Sequence, residues 1–198
     1  MKLSKAWIIG IVVIGIILIS IGSAIRMYNK MPTLEEGVSS QWAKVESAYQ
    51  RRSDLIPNLV NTVKGVANFE QQTLTGVVEA RAKATSVNID PTKLNAESIK
   101  QFQQAQSGLS SALSKLMVVV EKYPELKATQ NFLELQSQLE GTENRINVER
   151  NKFNETAQSY NSYIRRFPNN LFAGMFGFEK KAYFEAEAGA EKAPEVKF

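Results

Sequence analysis

The 198-residue sequence contains no cysteine and no histidine. Without cysteine there can be no disulfide, no thiolate nucleophile, no cysteine-ligated metal and no acylated lipoprotein anchor. Without histidine the sequence lacks the base of the Ser-His-Asp triad and the histidine ligands of di-iron helical bundles. Only carboxylate, lysine, tyrosine and backbone groups remain for chemistry. We therefore predict a protein that is not an enzyme and that has no catalytic residue, no cofactor and no metal ion.

Several short motifs are also missing, namely a glycine-rich phosphate loop, a Gly-x-Ser-x-Gly elbow and a calcium-binding loop. The nearest approach to a carboxylate cluster is formed by Glu140, Glu143 and Glu149. Arg145 lies among them, and charges three or four positions apart are typical of the solvated face of a long helix. This stretch therefore does not change the prediction of no metal site.

Most of the chain has no excess of one charge sign. The formal net charge is +4, but Lys2, Lys5, Arg26 and Lys30 all flank one apolar segment, and the other 20 basic residues are balanced by 20 acidic ones. A nucleic-acid partner would require a basic face. We therefore predict no binding to nucleic acid.

One long apolar run is present near the N-terminus. The stretch from Ala6 to Ile25 has 20 uncharged residues, enough as a helix to span the roughly 30 Å hydrocarbon core of a bilayer. Trp7 and Tyr28 lie near its ends, where aromatic rings favour the headgroup region. A cleaved signal peptide is the alternative, since residues 22–24 are small, but its apolar region would be shorter. We predict that residues 1–29 form a transmembrane anchor, whose two basic flanks leave the side of the soluble part open.

Beyond the anchor, apolar residues recur at alternating steps of four and three, which is typical of helices. The first stripe runs from Val38 across Pro57, which indicates one kinked helix or two nearly collinear helices. A less regular pattern then continues to about Ser86. Asparagine, aspartate and proline at residues 88–91 predict a chain reversal.

Two further stripes predict a third helix over residues 102–123, which stops before Pro124, and a fourth over residues 132–167, which Pro168 ends. No stretch has the alternation of a β-strand. We therefore predict an all-α protein, in which residues 30–168 form an antiparallel bundle of long helices that follows the single transmembrane helix.

Residues 169–198 differ in composition from the bundle. The segment combines glycines with large apolar residues, which are Leu171, Phe172, Met175, Phe176 and Phe178. We expect these side chains to cover one open end of the bundle, and contact with lipid or with a partner is the alternative. From about Ala186 the tail is expected to be mobile.

Two charged residues, Arg52 and Glu149, interrupt the apolar stripes of different helices. An unpaired charge in a helical seam is costly. The two side chains are therefore expected either to pair with each other or to reach water. A structural role such as fixing the register is favoured over catalysis.

Two stretches of the sequence resemble the LemA family of bacterial membrane proteins. The first is centred on residues 51–65 (RRSDLIPNLVNTVKG) and continues to Ala80 and Arg81, and the second covers residues 123–168, including YPELKA and TENRI. The resemblance implies a helical bundle tethered by an N-terminal transmembrane helix, without an established catalytic activity or cofactor. It also marks matching polar positions, which are Asp54, Asn58, Lys64, Glu70, Arg81, Asn131, Glu143, Asn144, Arg150, Asn154 and Asn161. These groups are expected to bond helices together or, alternatively, to form a recognition surface.

From these features we predict a single-pass protein of the bacterial inner membrane that acts as a scaffold or adaptor and binds itself or another membrane protein. Membrane shaping by the bundle and the aromatic segment is one alternative. A carboxylate-dependent hydrolase or transferase that uses Asp54, Glu70 or Glu143 with a nearby lysine is the other.

Overall fold

The computed structural model describes residues 5–65 and 69–186, with side chains from residue 7 onward. Within these ranges the chain forms helices and loops and no β-strand. The helices are α1 (Lys5–Lys64), α2 (Gln71–Ser86), α3 (Ala96–Val120), α4 (Pro124–Lys127), α5 (Gln130–Arg165) and α6 (Asn169–Phe176). The predicted all-α fold is confirmed, whereas the tail beyond Ala186, expected to be mobile, lies outside the described residues.

Helix α1 is one helix of 60 residues that runs from the apolar N-terminal segment into the bundle. Pro32 and Pro57 both lie inside it, so the single-helix alternative is the one observed. The apolar part has a mean hydropathy of 2.9 over an 18-residue window, and none of that window is buried by the rest of the protein. By length and composition this end of α1 is able to cross a membrane.

The helical pattern expected to continue to about Ser86 does end there, but it is divided between two helices, because α1 ends at Lys64 and a separate helix, α2, ends at Ser86. Gly65 adopts a turn, and α2 begins at Gln71. Glycine is a poor helix former because ordering its backbone costs more entropy than for any other residue. The apolar spacing does not reveal this break because helices on both sides of it present an apolar face to one core.

The long helices alternate in direction. Tyr49 of α1 contacts Phe102 of α3, and Arg52, one turn later, contacts Ser110, so α1 and α3 run parallel. Helix α5 runs the opposite way, as shown by the pairs Arg52–Glu143, Gln41–Glu149 and Met27–Tyr163. Helix α2 packs beside α1 and α3 and returns the chain between them. The result is an antiparallel bundle, as predicted.

The chain reversal predicted at residues 88–91 is present. Pro91–Lys93 form a single 3-10 turn, and Oδ1 of Asp90 accepts hydrogen bonds from the hydroxyl of Thr92 (2.7 Å) and from its amide (2.9 Å). These two bonds lower the pKa of the Asp90 carboxyl. A capping box of Asn95 and Ser98 then starts α3.

The buried apolar side chains form two clusters along the bundle. The anchor-proximal cluster surrounds Trp42 and Phe153, and the anchor-distal cluster surrounds Leu59 and Phe132. The first stripe predicted from the sequence is confirmed as buried at Val38, Trp42, Val45 and Tyr49.

The segment after α5 divides the apolar residues that were expected to act together. Phe172 and Phe178 pack against the anchor-proximal cluster, as the covering role predicts. Leu171, Met175 and Phe176 instead remain 59%, 75% and 53% exposed. The residues that follow, 178–186, have no regular secondary structure and lie along the bundle. We call them the strap; its Lys181 and Phe184 are only 5% and 6% exposed.

Candidate functional site

Arg52 is the charged residue at the centre of the bundle, with 2% of its surface exposed. Its Nη1 donates to Glu143 Oε2 (2.8 Å) on α5 and to Ser110 Oγ (2.9 Å) on α3. Its Nη2 donates to Gln106 Oε1 (2.8 Å), also on α3. The guanidinium lies 5.1 Å from the ring centre of Tyr49, and burial raises the pKa of that phenol. One buried cation therefore joins three long helices.

Neither outcome expected for Arg52 and Glu149 is observed, because the two side chains do not pair with each other and both are buried. Glu149, 1% exposed, accepts a hydrogen bond at Oε2 from Gln41 Nε2 (2.7 Å) and forms an ion pair with Arg145 (2.8 Å). Gln41 and Arg52 are eleven positions apart on α1, about 16 Å along the helix axis. Heptad spacing shows which residues of a helix face the seam, but not which residue of the neighbouring helix lies opposite each of them. The acidic residue opposite Arg52 is Glu143.

The hydrogen bond from Gln41 lowers the pKa of the Glu149 carboxyl, against the opposing effect of burial. Arg145 and Lys152 add favourable charge interactions. The carboxylate is therefore held in its ionised form within the seam.

Two polar contacts join α2 to the bundle. Arg81 donates from Nε to the carbonyl of Ser53 (2.9 Å), and Gln106 donates from Nε2 to the carbonyl of Ala84 (3.2 Å). The first contact has a specific cause in the sequence. Pro57 has no N–H and so cannot bond the carbonyl four residues before it, which is that of Ser53. Arg81 supplies the donor that α1 lacks at this position.

The strap is held to α5 by two asparagine side chains, each of which pairs with both main-chain groups of one residue. Asn161 donates to the carbonyl of Lys181 (2.8 Å) and accepts from its amide (2.9 Å). Asn154 does the same with Phe184, at 2.9 Å for both bonds. This is the hydrogen-bonding pattern of a neighbouring β-strand, here supplied by amide side chains of a helix.

The spacing of the two asparagines matches that of the strap. Asn154 and Asn161 are seven positions apart on α5, or about 10.5 Å along the axis. Lys181 and Phe184 are three positions apart, or about 10 Å in an extended chain. Since Asn161 holds the earlier strap residue, the strap runs antiparallel to α5.

Phe184 fills an aromatic pocket on the bundle. Its ring stacks on Trp42 with centroids 5.8 Å apart and meets Phe153 edge-on at 5.4 Å. The guanidinium of Arg150 lies 4.9 Å from the same ring centre. Aromatic pairs and a cation over a ring each add to the stabilisation from burial alone. This pocket is therefore selective for a large aromatic side chain.

Lys181 fills a second, polar pocket. Its Nζ forms an ion pair with Glu35 Oε1 (2.6 Å) and donates to the carbonyl of Thr92 (3.1 Å). The same Nζ lies 5.8 Å from the ring centre of Tyr160, whose pKa is raised by burial. A buried ammonium group is thereby matched by a carboxylate and a carbonyl oxygen.

The strap also bridges α3 and α5. The carbonyl of Glu185 accepts from Gln103 Nε2 on α3 (2.7 Å) and from Arg150 Nη2 on α5 (2.9 Å). The amide of Ala182 donates to the carbonyl of Leu94 (2.9 Å) in the preceding loop. The strap therefore lies in a groove between these elements, which we call the strap groove.

The structure separates the polar positions singled out from the sequence into groups. Arg52, Glu143 and Arg81 join helices, and Arg150, Asn154 and Asn161 hold the strap. Glu149 bonds Gln41 in the seam. The remaining positions are exposed and lie in neither group; they are Asp54, Asn58, Lys64, Glu70, Asn131 and Asn144.

Several residues of these sites were not identified from the sequence. Gln41 is next to Trp42 and Gln106 is next to Ala105, and both neighbours belong to apolar stripes. Position beside a stripe residue is therefore the sequence feature from which these two glutamines could be identified. Lys181 and Phe184 carry no such signal because an extended segment bound through its main chain has no helical period.

The carboxylates of the enzymatic alternative are not brought together. Asp54 is exposed and accepts from Gln50 (2.7 Å), and Glu143 is paired with Arg52. Glu70 and Lys115 both line a groove between α2 and α3. Across the described residues no group of three or more acidic side chains is arranged to hold a metal ion.

Comparison with known proteins agrees with the sequence resemblance. A sequence model described as the LemA family matches residues 41–198. The magnetosome protein MamQ 2 of Paramagnetospirillum magneticum is 25% identical over 188 residues, 86% of this chain and 69% of that protein. The magnetosome protein MamQ of Magnetospirillum gryphiswaldense is 26% identical over 189 residues, 85% of this chain and 69% of that protein. Protein LemA of Metamycoplasma hominis is 24% identical over 158 residues, 80% of this chain and 68% of that protein. The family resemblance is thereby confirmed.

Proposed function

Because this chain belongs to the LemA family, we propose that it is a single-pass scaffold or adaptor of the bacterial inner membrane, anchored through Ala6 to Ile25. We further propose that its partner is a second copy of itself, bound through exchange of the strap. The observation that carries the proposal is the strap groove, which binds an extended segment through its main chain and through two selective pockets.

The groove has the features of a peptide-recognition site. Main-chain bonds to Asn154 and Asn161 provide affinity for any extended segment, and the pockets for Lys181 and Phe184 provide specificity. The sequence that fits best is therefore a lysine followed three residues later by a phenylalanine. The strap itself has this sequence, and so does the strap of every other copy.

Exchange between copies requires no contact that a single copy lacks. A strap from a neighbour would make the same hydrogen bonds and fill the same pockets, which is why exchange of an identical element is a low-cost route to dimers. Anchoring in one membrane raises the effective concentration of neighbours. The short helix α6, which precedes the strap, fully buries only Asn169 and Ala173.

The absence of cysteine allows a clean test of this proposal. Two differently tagged full-length copies, one with Gln103→Cys and the other with Glu185→Cys, are co-expressed and treated in membranes with a short bis-maleimide. We expect a covalent heterodimer, because Gln103 contacts the strap at Glu185. The matched control replaces Glu185→Cys by Lys127→Cys, an exposed position at the anchor-distal end of the bundle.

A single chain that carries both Gln103→Cys and Glu185→Cys tests the alternative that each strap occupies the groove of its own chain. Cross-linking within this double variant, with no heterodimer from the separate single variants, would show that the strap stays in its own groove. Capture of a different membrane protein by Gln103→Cys, at the expense of the heterodimer, would replace self-association by an adaptor role for the same groove.

A further inference from the structure

Helix α6 lies beside the point at which α1 leaves its apolar segment. The ring of Phe176 contacts Tyr28 with centroids 4.7 Å apart, and that of Phe178 lies 6.1 Å from Tyr28. The end of α5 reaches the same level, since Tyr163 Oη donates to the carbonyl of Met27 (3.3 Å). The chain from the end of α5 through α6 is therefore the anchor-proximal end of the bundle.

The distance from this end to the hydrocarbon core of a membrane follows from the helix geometry. Tyr28 is three positions after Ile25, the last residue of the apolar run, which is about 4.5 Å along the helix axis. The headgroup region on each side of a bilayer is roughly 5–7 Å thick. With the apolar run across the membrane, Tyr28 and the side chains in contact with it lie at the depth of the headgroups.

The exposed face of α6 suits that depth. The sequence of α6, NNLFAGMF, contains no charged residue. Leu171 and Met175 are one turn apart and 59% and 75% exposed, Phe176 is 53% exposed, and Phe167, just before the helix, is 81% exposed. Elsewhere in the described part of the bundle, large exposed apolar residues such as Val118 and Leu133 occur singly. An exposed apolar group of this kind marks an interaction surface.

We infer that α6 is an interfacial helix that inserts Phe167, Leu171, Met175 and Phe176 into the same bilayer that the apolar part of α1 crosses. The inference rests on membrane insertion of α1, which is part of the proposed function, and not on exchange of the strap. Its occupant is lipid because the Tyr28 contact places the exposed face at the membrane surface. The bundle is then held by two points, a spanning helix and an interfacial one, and its tilt is fixed.

Single cysteines in the full-length chain test this inference. Met175→Cys and Val118→Cys replace apolar residues of similar exposure, 75% and 68%, at the anchor-proximal end and near the far end of α3. Each variant is labelled with an environment-sensitive fluorophore and placed in nanodiscs of phosphatidylcholine and phosphatidylglycerol, with or without bromine on the acyl chains. We expect brominated lipid to reduce emission at position 175 by about twofold or more and to leave position 118 unchanged, because interfacial helices bury their apolar face 5–10 Å deep.

A second measurement separates lipid from protein as the occupant. The rate of reaction of each cysteine with a membrane-impermeant maleimide is measured in the same nanodiscs. Slow reaction and quenching together at position 175 support the inference. Slow reaction without quenching would overturn it in favour of a protein contact, and rapid reaction at both positions would overturn it in favour of a solvent-exposed helix. If the cross-linking test gives no heterodimer but position 175 is still quenched, the proposed self-association is refuted and the membrane contact of α6 stands.

Discussion

At the scale of single residues, the buried charges of the bundle differ in how they are compensated. Arg52 is buried, whereas the side chain of its partner Glu143 is 47% exposed. The cost of removing charge from water therefore falls mainly on the arginine, and its hydrogen bonds to Glu143, Ser110 and Gln106 on two helices offset that cost. Removal of either partner should consequently have unequal effects.

We expect Arg52→Ala to lower the free energy of unfolding of the bundle by about 3 kcal/mol, since it leaves a cavity and several unpaired polar groups. Glu143→Gln should lower it by only about 1 kcal/mol, because the amide oxygen still accepts and the site is partly solvated. The measurement is urea unfolding in detergent micelles, followed by Trp42 fluorescence in a Trp7→Phe background. Equal effects of the two substitutions would contradict this assignment.

Glu149 makes the stability of the bundle depend on pH. Gln41 holds its pKa in the folded state below the ordinary value of 4.5, so its contribution is fully present above that pH and is lost as pH falls through the folded pKa. We expect the stability difference between the wild type and Glu149→Gln to shrink as the pH is lowered below about 4.5. A stability difference between the two proteins that stays constant over this pH range would show that titration of Glu149 does not contribute to the pH dependence. Gln41→Ala, which removes the main cause of the shift, should weaken the pH dependence.

At the scale of helices and segments, the contact between Arg81 and Ser53 compensates for a proline inside α1. If this explanation is correct, the contribution of Arg81 to the free energy of unfolding depends on the presence of Pro57. We expect Arg81→Leu to cost about 1–2 kcal/mol in the wild type, because the Ser53 carbonyl loses its donor. In a Pro57→Ala background α1 regains an N–H, and the cost should fall by at least half. A double-mutant cycle of unfolding free energies measures this coupling, and additive costs would exclude it.

The strap gives a second prediction at this scale. Asn161→Leu removes both hydrogen bonds to Lys181, and we expect the Lys181 amide to exchange with solvent about tenfold faster or more. The matched control is Asn144→Leu, an exposed asparagine on the same helix. Hydrogen exchange followed by mass spectrometry of peptides from the strap gives the measurement. Similar protection in both variants would mean that the aromatic pocket of Phe184 holds the strap without the asparagines.

The elements show which features a single sequence can predict. Stripes at steps of three and four identify α1, α3 and α5 and the burial of Trp42 because each depends only on local helix geometry. The pairing of Arg52 with Glu143 depends on the relative heights of two helices, and the burial of Lys181 and Phe184 depends on a groove formed by distant segments. Neither is encoded in a local period, so each needed the structure.

At the scale of the whole molecule, the unbroken helix α1 joins the membrane segment to the bundle. Tyr28 and Met27 belong to this helix and also contact α6 and the end of α5. The height of the bundle above the membrane is therefore set by the length of α1 between Ile25 and these contacts. A flexible linker would allow that height to vary, and a helix does not.

This rigid connection leads to a prediction about length. Insertion of seven helix-forming residues between Arg26 and Met27 moves the bundle about 10 Å further from the hydrocarbon core, with a rotation of only about 20°. The exposed face of α6 then leaves the headgroup region, and we expect quenching of the Met175→Cys label by brominated lipid to be lost. A matched substitution of residues in α1 that adds no length should leave the quenching intact. If quenching survives the insertion, α1 bends at the membrane surface. The height of the bundle above the membrane would then be set by the lipid contact of α6 and not by the length of α1.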